Sequence, residues 1–230
     1  MCTILLRWDP GAPHAVQLAA NRDEFRERLA DDPGEIAPGV FAGRDRTAGG
    51  TWLAVAKTGI AALTNVRTGA RDPQAPSRGV LPIAALTGGL PADLSPYNAF
   101  NLLVVDRDGA RVVTHEGAGA PAAIVPLVPG AHVVDNELFG RASPRAARAA
   151  ALLDGAMPDF ALLGDHGTTD GDGLCHHGEL YGTVSATVVV LDATFGVVRY
   201  AHASGPPCGG RIVDLTDRAR AILRWPSFGS

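Results

Sequence analysis

Short apolar runs separated by turn-forming residues recur along the chain and predict β-hairpins. Thr3–Trp8 and residues 15–20 are the first two runs, and the turn signal Asp9-Pro10-Gly11 joins them. Three later hairpins follow the same pattern: residues 51–56 with 60–66, 100–106 with 110–115, and 183–191 with 196–202. Residues 122–128 and 132–134 are expected to form a further pair.

Three segments carry helical signals. Residues 143–154 are the clearest, because Ser143 can cap the helix and Pro144 suits its first position. Residues 79–90 predict a second helix, and the amphipathic residues 211–223 predict a closing one. Residues 25–39 and the acidic, glycine-rich residues 164–173 are expected to be loops. No linker or repeat interrupts the chain, so the pattern predicts a single α+β domain over residues 1–230, with antiparallel sheet covered by helices.

Composition excludes several classes of function. The 230-residue chain carries a net charge of −4, which gives no basic surface for nucleic acid. No apolar run approaches the roughly 20 residues that cross a bilayer, and the first residues do not resemble a signal peptide. Its cysteines, Cys2, Cys175 and Cys208, are few and odd in number, which favours reduced thiols and a cytoplasmic location. No strand is followed by a glycine-rich phosphate loop, which argues against a nucleotide-binding enzyme.

Cys2 directly follows the initiator methionine. If Met1 is removed, the α-amine of Cys2 becomes free, and its pKa of about 8 suits a base acting on the neighbouring thiol. One residue would then supply both nucleophile and base. The alternative is a small buried hydrophobic residue at the start of a strand.

The polar cluster Asn21-Arg22-Asp23-Glu24 follows the second apolar run. If the first two strands pair as a hairpin, this cluster lies beside Cys2. An arginine and a carboxylate in that position could tune the thiol and orient the α-amine. The alternative is a solvated strand end with an internal ion pair.

Two further asparagines, Asn65 and Asn136, each follow an apolar run. Side-chain amides aimed into a cleft can stabilise the oxyanion of acyl transfer, although a single asparagine is more often a turn residue. Trp52 follows Gly49 and Gly50. We expect Trp52 to be a core residue; the alternative is stacking on a ligand, since the paired glycines would let the backbone approach a substrate.

The segment Cys175-His176-His177 has the residue types of a metal site but not the spacing. No second ligand pair stands at zinc-finger distance, and His166 and His202 are isolated in the sequence. We therefore expect loop histidines and no metal site. A haem contact from Cys175 or a histidine is the alternative.

Seven motifs in chain order together resemble the NRDE family, also called the Transport and Golgi organisation family. They are Met1-Cys2, Asn21-Arg22-Asp23-Glu24, Gly49-Gly50-Thr51-Trp52-Leu53, Leu63-Thr64-Asn65, Ser77-Arg78-Gly79, Asn98-Ala99-Phe100-Asn101-Leu102 and Tyr181-Gly182-Thr183. That family in turn resembles N-terminal-nucleophile hydrolases such as penicillin V acylase and bile-salt hydrolase. The resemblance implies a four-layer αββα sandwich of two antiparallel sheets.

The resemblance also implies roles for individual residues. Cys2 matches the acylase nucleophile, Asp23 its aspartate near the terminal amine, and Asn65 and Asn136 the asparagines of the oxyanion region. Asn21, Arg22, Glu24 and Trp52 are the expected substrate-binding residues. Two arginines of the related proteins are replaced here by Ala20 and Val184, which removes positive charge near the thiol.

The resemblance leaves two functions open. One is a cofactor-free cysteine amidohydrolase that cleaves a linear acyl amide of a small molecule. The other is a carrier that binds haem, or acts in lipid homeostasis, through the same cleft. Members of the family are implicated in moving haem between compartments.

Overall fold

A computed structural model of the chain describes residues 2–67, 71–169 and 171–223. Its strands are β1 Thr3–Trp8, β2 Val16–Phe25, β3 Ala30–Ala37, β4 Val40–Asp45, β5 Leu53–Ala56, β6 Gly59–Asn65, β7 Phe100–Asp106, β8 Gly109–His115, β9 Ala123–Leu127, β10 Gly130–Val134, β11 Tyr181–Leu191, β12 Val197–Ser204 and β13 Arg211–Asp214. Its α-helices are α1 Leu81–Thr87, α2 Pro144–Leu153, α3 Phe160–Leu163 and α4 Thr216–Ile222. A 3-10 turn, Arg78–Val80, precedes α1.

The strands form two antiparallel sheets. The first has the order β10-β1-β2-β11-β12-β13, and the second runs β3-β4-β5-β6-β7-β8-β9. Strand β2 lies inside the first sheet and pairs with both β1 and β11. The second sheet is a meander, since each strand pairs with the next along the chain. The fold is therefore an α+β sandwich, as the sequence predicts.

Three apolar clusters hold the layers together. The central cluster, which includes Leu6, Phe41 and Tyr200, joins the inner faces of the two sheets. Leu81 and Leu86 of α1 pack on the outer face of the second sheet, and residues of α2 and α3 pack on the outer face of the first. This arrangement agrees with the expected order of four layers. Within the described part of the chain, no helix has the length and apolar character needed to cross a membrane.

Most predicted elements form, and four predictions need correction. Strand β2 continues through the polar cluster to Phe25, and β3 occupies part of the expected loop 25–39. Segments β9 and β10 do not pair with each other: β9 joins β8 in one sheet and β10 joins β1 in the other. The tail forms the short strand β13 before α4 instead of one helix.

Candidate functional site

The β1–β2 hairpin brings Cys2 to the polar cluster, as the sequence predicts. Thr3 pairs with Asn21 across the hairpin, so Cys2 lies beside the following residues of β2. The Sγ atom of Cys2 lies 3.9 Å from the backbone oxygen of Asp23. Burial raises the pKa of the Cys2 thiol, and the negative charge of Asp23 raises it further. The thiol form is thus favoured at neutral pH, and deprotonation needs a base.

Asp23 is a carboxylate enclosed by polar groups. Its side chain is 0% exposed and accepts a 2.7 Å hydrogen bond from Thr183 Oγ1. The Nη1 atom of Arg145 lies 3.6 Å from Asp23 Oδ2. Burial raises the pKa of Asp23, while Thr183 and Arg145 lower it. Hydrogen bonding and charge therefore partly offset the cost of placing a carboxylate in the protein interior.

His176 completes this group as a neutral side chain. Arg145 donates a hydrogen bond to His176 Nε2, which requires that nitrogen to be unprotonated. Burial and the charge of Arg145 lower the pKa of His176 to about 4. His176 Nε2 is 4.0 Å from Asp23 Oδ2. Because its lowered pKa leaves His176 neutral, the two side chains do not form an ion pair at neutral pH.

Arg145 is a site residue that the sequence analysis missed. It lies in the first turn of α2, on the same buried face as Ala149 and Leu153. The sequence did contain a signal for it, because Arg145 falls on the apolar face of the predicted helix, where a charged side chain must have a buried partner. Arg145 supplies positive charge beside Asp23. It thereby compensates in part for the two arginines of related proteins that are replaced here by Ala20 and Val184. The charge comes from a different element of the fold.

The two asparagines Asn65 and Asn136 meet at the cleft. Asn65 ends β6 with its side chain exposed, and Asn136 Nδ2 donates a 2.6 Å hydrogen bond to the Asn65 backbone oxygen. Asn136 Oδ1 is buried and has no hydrogen-bond partner among the described residues. The two residues are therefore neighbours, and both line the same cavity as Cys2.

Residues of two sequence motifs hold Asn136 in place. The Oγ1 of Thr64 donates a 2.6 Å hydrogen bond to the backbone oxygen of Asp135. Buried Asn101 donates to the backbone oxygens of Asp135 and Glu137, at 3.1 and 2.7 Å, and accepts from the amide of Phe139 at 3.1 Å. The turn that carries Asn136 is thus fixed by side chains of β6 and β7.

Asn21 does not reach the cleft where we expected it to bind substrate. It lines neither cavity beside Cys2. Its Nδ2 donates to the backbone oxygens of Leu163 and Leu174, at 3.0 and 2.8 Å. The side chain is buried against the segment that follows α3, so its observed contacts are structural ones.

Arg22, Glu24 and Trp52 do line the cleft. The Arg22 guanidinium lies 4.6 Å from the centre of the Trp52 ring and 3.2 Å from Asp45 Oδ2. Glu24 is 3.8 Å from Arg28 Nη1. Trp52 is half-buried and forms part of the wall, so its position is compatible with both the core and the substrate-binding interpretation.

Close contact between two glycines shapes the opposite wall. A Cβ atom on Gly50 would lie 2.5 Å from the carbonyl carbon and oxygen of Gly79, and the amide of Thr51 donates a 2.8 Å hydrogen bond to that oxygen. This contact brings the Ser77-Arg78-Gly79 motif against the Gly49-Gly50-Thr51 motif. Arg78 is thereby placed in the cleft wall.

The cleft consists of two adjoining cavities of about 290 and 630 Å³. They share seven lining residues: Cys2, Glu24, Arg28, Asn65, Arg71, Arg78 and Asn98. Burial and the nearby charges of Arg71 and Arg28 lower the pKa of Arg78 to about 10. The cleft is therefore a polar space beside a thiol, in which arginines stand together with acidic residues such as Glu24 and Asp72.

A second group of polar side chains lies near this cleft. The spacing around Cys175 and His177 predicted no metal site and left His166 isolated, whereas the structure brings His166, Cys175, His177 and Cys208 together. His202 is not part of this group, because it is buried in β12 and bonded to Thr187 Oγ1 at 2.9 Å.

Fold and site together define an α+β sandwich with a thiol cleft at the start of its first strand. A family model described as Transport and Golgi organisation 2 matches residues 1–159. The chain belongs to this family. A search of the curated proteins gives no match.

Proposed function

We propose that this protein is a cysteine amidohydrolase with Cys2 as the nucleophile, acting on the linear amide of a small molecule that carries an anionic group. The observation that supports it best is the position of the Cys2 thiol. It lies where two cavities adjoin, next to a buried carboxylate and two asparagines.

Because the pKa of Cys2 is raised, its thiol can act as a nucleophile only if a base lies close to it. Because burial disfavours the thiolate, a group must accept the thiol proton during attack. The α-amine that removal of Met1 would expose on Cys2 is suited to this task. Met1 lies outside the described residues. Asp23 would orient this amine, and Arg145 and Thr183 would hold Asp23 in place.

The reaction would proceed in two steps. Cys2 Sγ bonds to the amide carbonyl carbon, and the α-amine takes the thiol proton. The C–N bond then breaks, and the α-amine passes that proton to the leaving amine. Water hydrolyses the resulting thioester and regenerates the thiol. Asn65 and Asn136 would donate hydrogen bonds to the oxyanion, since each amide nitrogen carries two hydrogens.

The charge of the cleft supports an anionic substrate. Arg28, Arg71 and Arg78 line both cavities, and their mutual repulsion contributes to the lowered pKa of Arg78. A carboxylate or phosphate on the substrate would relieve this repulsion.

Hydrolysis of N-acyl amides in matched pairs tests this proposal, each pair comprising a free carboxylate and its methyl ester. We expect turnover of the carboxylate, and a loss of about a thousandfold or more in Cys2→Ala. Arg71→Gln should lower kcat/KM for the carboxylate about tenfold and leave the ester unchanged. Unchanged turnover in Cys2→Ala would refute the mechanism, as would an intact mass that retains Met1 in active protein.

The same cleft supports a second function, that of a haem carrier. Arginines could pair with the haem propionates, and Cys2 is a soft ligand for iron. The charged residues in the walls of both cavities favour the hydrolase, because haem needs a large apolar surface. Titration of the purified protein with haem tests this function, and a saturable shift in absorbance that Cys2→Ser abolishes would support it.

A further inference from the structure

Four potential metal ligands converge at one end of the first sheet. His166 follows α3, Cys175 and His177 precede β11, and Cys208 follows β12. Each offers one ligand atom, and the four atoms lie within 4.8 Å of one another. These residues come from three separate segments, so no spacing in the sequence could have revealed the group.

The distances between these atoms fit a tetrahedral metal ion. Cys175 Sγ is 3.6 Å from Cys208 Sγ and 3.5 Å from His177 Nε2, and His177 Nε2 is 3.1 Å from Cys208 Sγ. Tetrahedral zinc, with bonds of about 2.3 Å to sulfur and about 2.0 Å to nitrogen, requires about 3.8 Å between sulfurs and about 3.5 Å between sulfur and nitrogen. Three of the four ligand atoms thus already form one face of the tetrahedron.

The backbone around these residues is held in place. The amides of Leu174 and Cys175 both donate 2.8 Å hydrogen bonds to the backbone oxygen of Asp165. The amide of Gly209 donates to Pro206 O at 3.1 Å, which forms the turn around Cys208. His177 forms a β-bridge with Gly182. Preorganised ligands reduce the entropy cost of binding a metal.

We propose that His166, Cys175, His177 and Cys208 bind one Zn²⁺ ion in a structural Cys₂His₂ site. Two thiolates and two imidazoles form one of the usual ligand sets of structural zinc sites, whereas Mg²⁺ and Ca²⁺ prefer oxygen ligands. Four protein ligands leave no open position, so the ion stabilises the structure and takes no part in catalysis. Three of the ligands, His166, His177 and Cys208, are exposed, so zinc can enter from solvent.

Zinc at this position would fasten the segment that supports the cleft. Leu174, whose backbone oxygen accepts from Asn21, directly precedes Cys175. His176 lies between two of the ligands and exchanges hydrogen bonds with Thr183, the partner of Asp23. The site therefore has a structural role whether or not Cys2 is a nucleophile.

Metal analysis of untagged protein, purified under reducing conditions, tests the proposal. We expect one zinc ion per chain in the wild type and essentially none in the double variant Cys175→Ser/Cys208→Ser. Cys2→Ser and His14→Asn change a thiol and an exposed histidine outside the cluster, and both should retain the full zinc content.

A cobalt titration of the metal-free wild type keeps the test independent of how well the variants fold. We expect saturation at one Co²⁺ per chain, with the intense visible bands of tetrahedral coordination and a thiolate-to-cobalt charge-transfer band. Zinc should displace the cobalt. Absence of both zinc and the tetrahedral spectrum in reduced protein would overturn the proposal. So would a mass lower by two hydrogen atoms that a reductant restores in protein that still binds no metal, since the two sulfurs would then form a redox-active disulfide.

Discussion

Arg145 Nη1 on α2 lies 3.6 Å from Asp23 Oδ2 on β2, and their side chains are 4% and 0% exposed. This contact joins the helical layer to the strand that borders Cys2. A buried charge left without its partner destabilises a protein far more than the loss of an exposed ion pair does.

Replacing Arg145 should therefore expose the cost of burying Asp23. We expect Arg145→Met to lower the free energy of unfolding by about 3–5 kcal/mol at neutral pH. The double variant Asp23→Asn/Arg145→Met should recover part of the loss, because both charges of this buried pair are removed together. Urea denaturation measures both. Arg141→Met removes an exposed pair with Glu116 and should cost less than about 1 kcal/mol. Equal losses in the two single variants would contradict the prediction.

Asn101 should be needed to hold the turn of Asn136. Asn101→Ala leaves the partly buried backbone oxygen of Glu137 and the amide of Phe139 without this partner, and we expect a cost of about 3 kcal/mol. Hydrogen exchange at the Phe139 amide should accelerate as well. Asn98→Ala, which removes hydrogen bonds to Asp72 at the surface, serves as the control. An unchanged exchange rate at Phe139 would argue against this role of Asn101.

Gly50 should not tolerate a side chain. A Cβ atom there would meet the Gly79 carbonyl at 2.5 Å, so Gly50→Ala must push the two cleft motifs apart. We expect a loss of about 3 kcal/mol in unfolding free energy. Gly11→Ala places its Cβ 3.4 Å from the nearest atom, in an exposed turn, and should change stability by about 0.5 kcal/mol or less. Similar stability of the two variants would show that the contact can relax.

His202 should make stability depend on pH. Burial lowers its pKa to about 4, only partly opposed by Asp32, whose Oδ1 is 3.9 Å from Nε2. The folded state therefore binds the proton less tightly than the unfolded state, in which the pKa is about 6.5. This contribution to stability is present above pH 6.5 and is lost as the pH falls towards 4.

Urea midpoints at pH 7 and pH 5 measure this effect. The wild type should lose about 2 kcal/mol more than His202→Gln between these two values. His14→Gln alters an exposed histidine and should follow the wild type. Parallel losses in wild type and His202→Gln would mean that another group causes the pH dependence.

The sequence predicts the hairpins because short apolar runs and turn residues are local signals. The prediction for β2 ends too early, at Ala20, because the polar residues that continue the strand are buried against segments far away in the sequence. Asn21, for example, donates hydrogen bonds to the backbone oxygens of Leu163 and Leu174. The prediction fails for β3 because an edge strand has one neighbour and tolerates charge. The pairing of β9 and β10 was wrong because a short apolar segment does not specify which sheet it joins.

The residues of the site also fall into those that local sequence predicts and those that only the packing of distant segments brings together. Cys2 and Asp23 were predicted to be neighbours because one hairpin sets their distance. Arg145 and the cluster around Cys175 come from segments far apart in the chain, and the packing of α2 and of the loops around β11 brings them in. A resemblance carried by local motifs could not report these contacts.

The position of β11 has a consequence for fragments of this protein. The family match ends at residue 159, yet β11, Tyr181–Leu191, fills the place between β2 and β12. A fragment cut at that boundary would leave β2 with an unpaired edge, where eight consecutive residues, Val16 to Asp23, are buried in the whole chain. An open strand edge of this length is a template for aggregation. We therefore expect residues 1–159 alone to precipitate, although they contain every residue matched by the family.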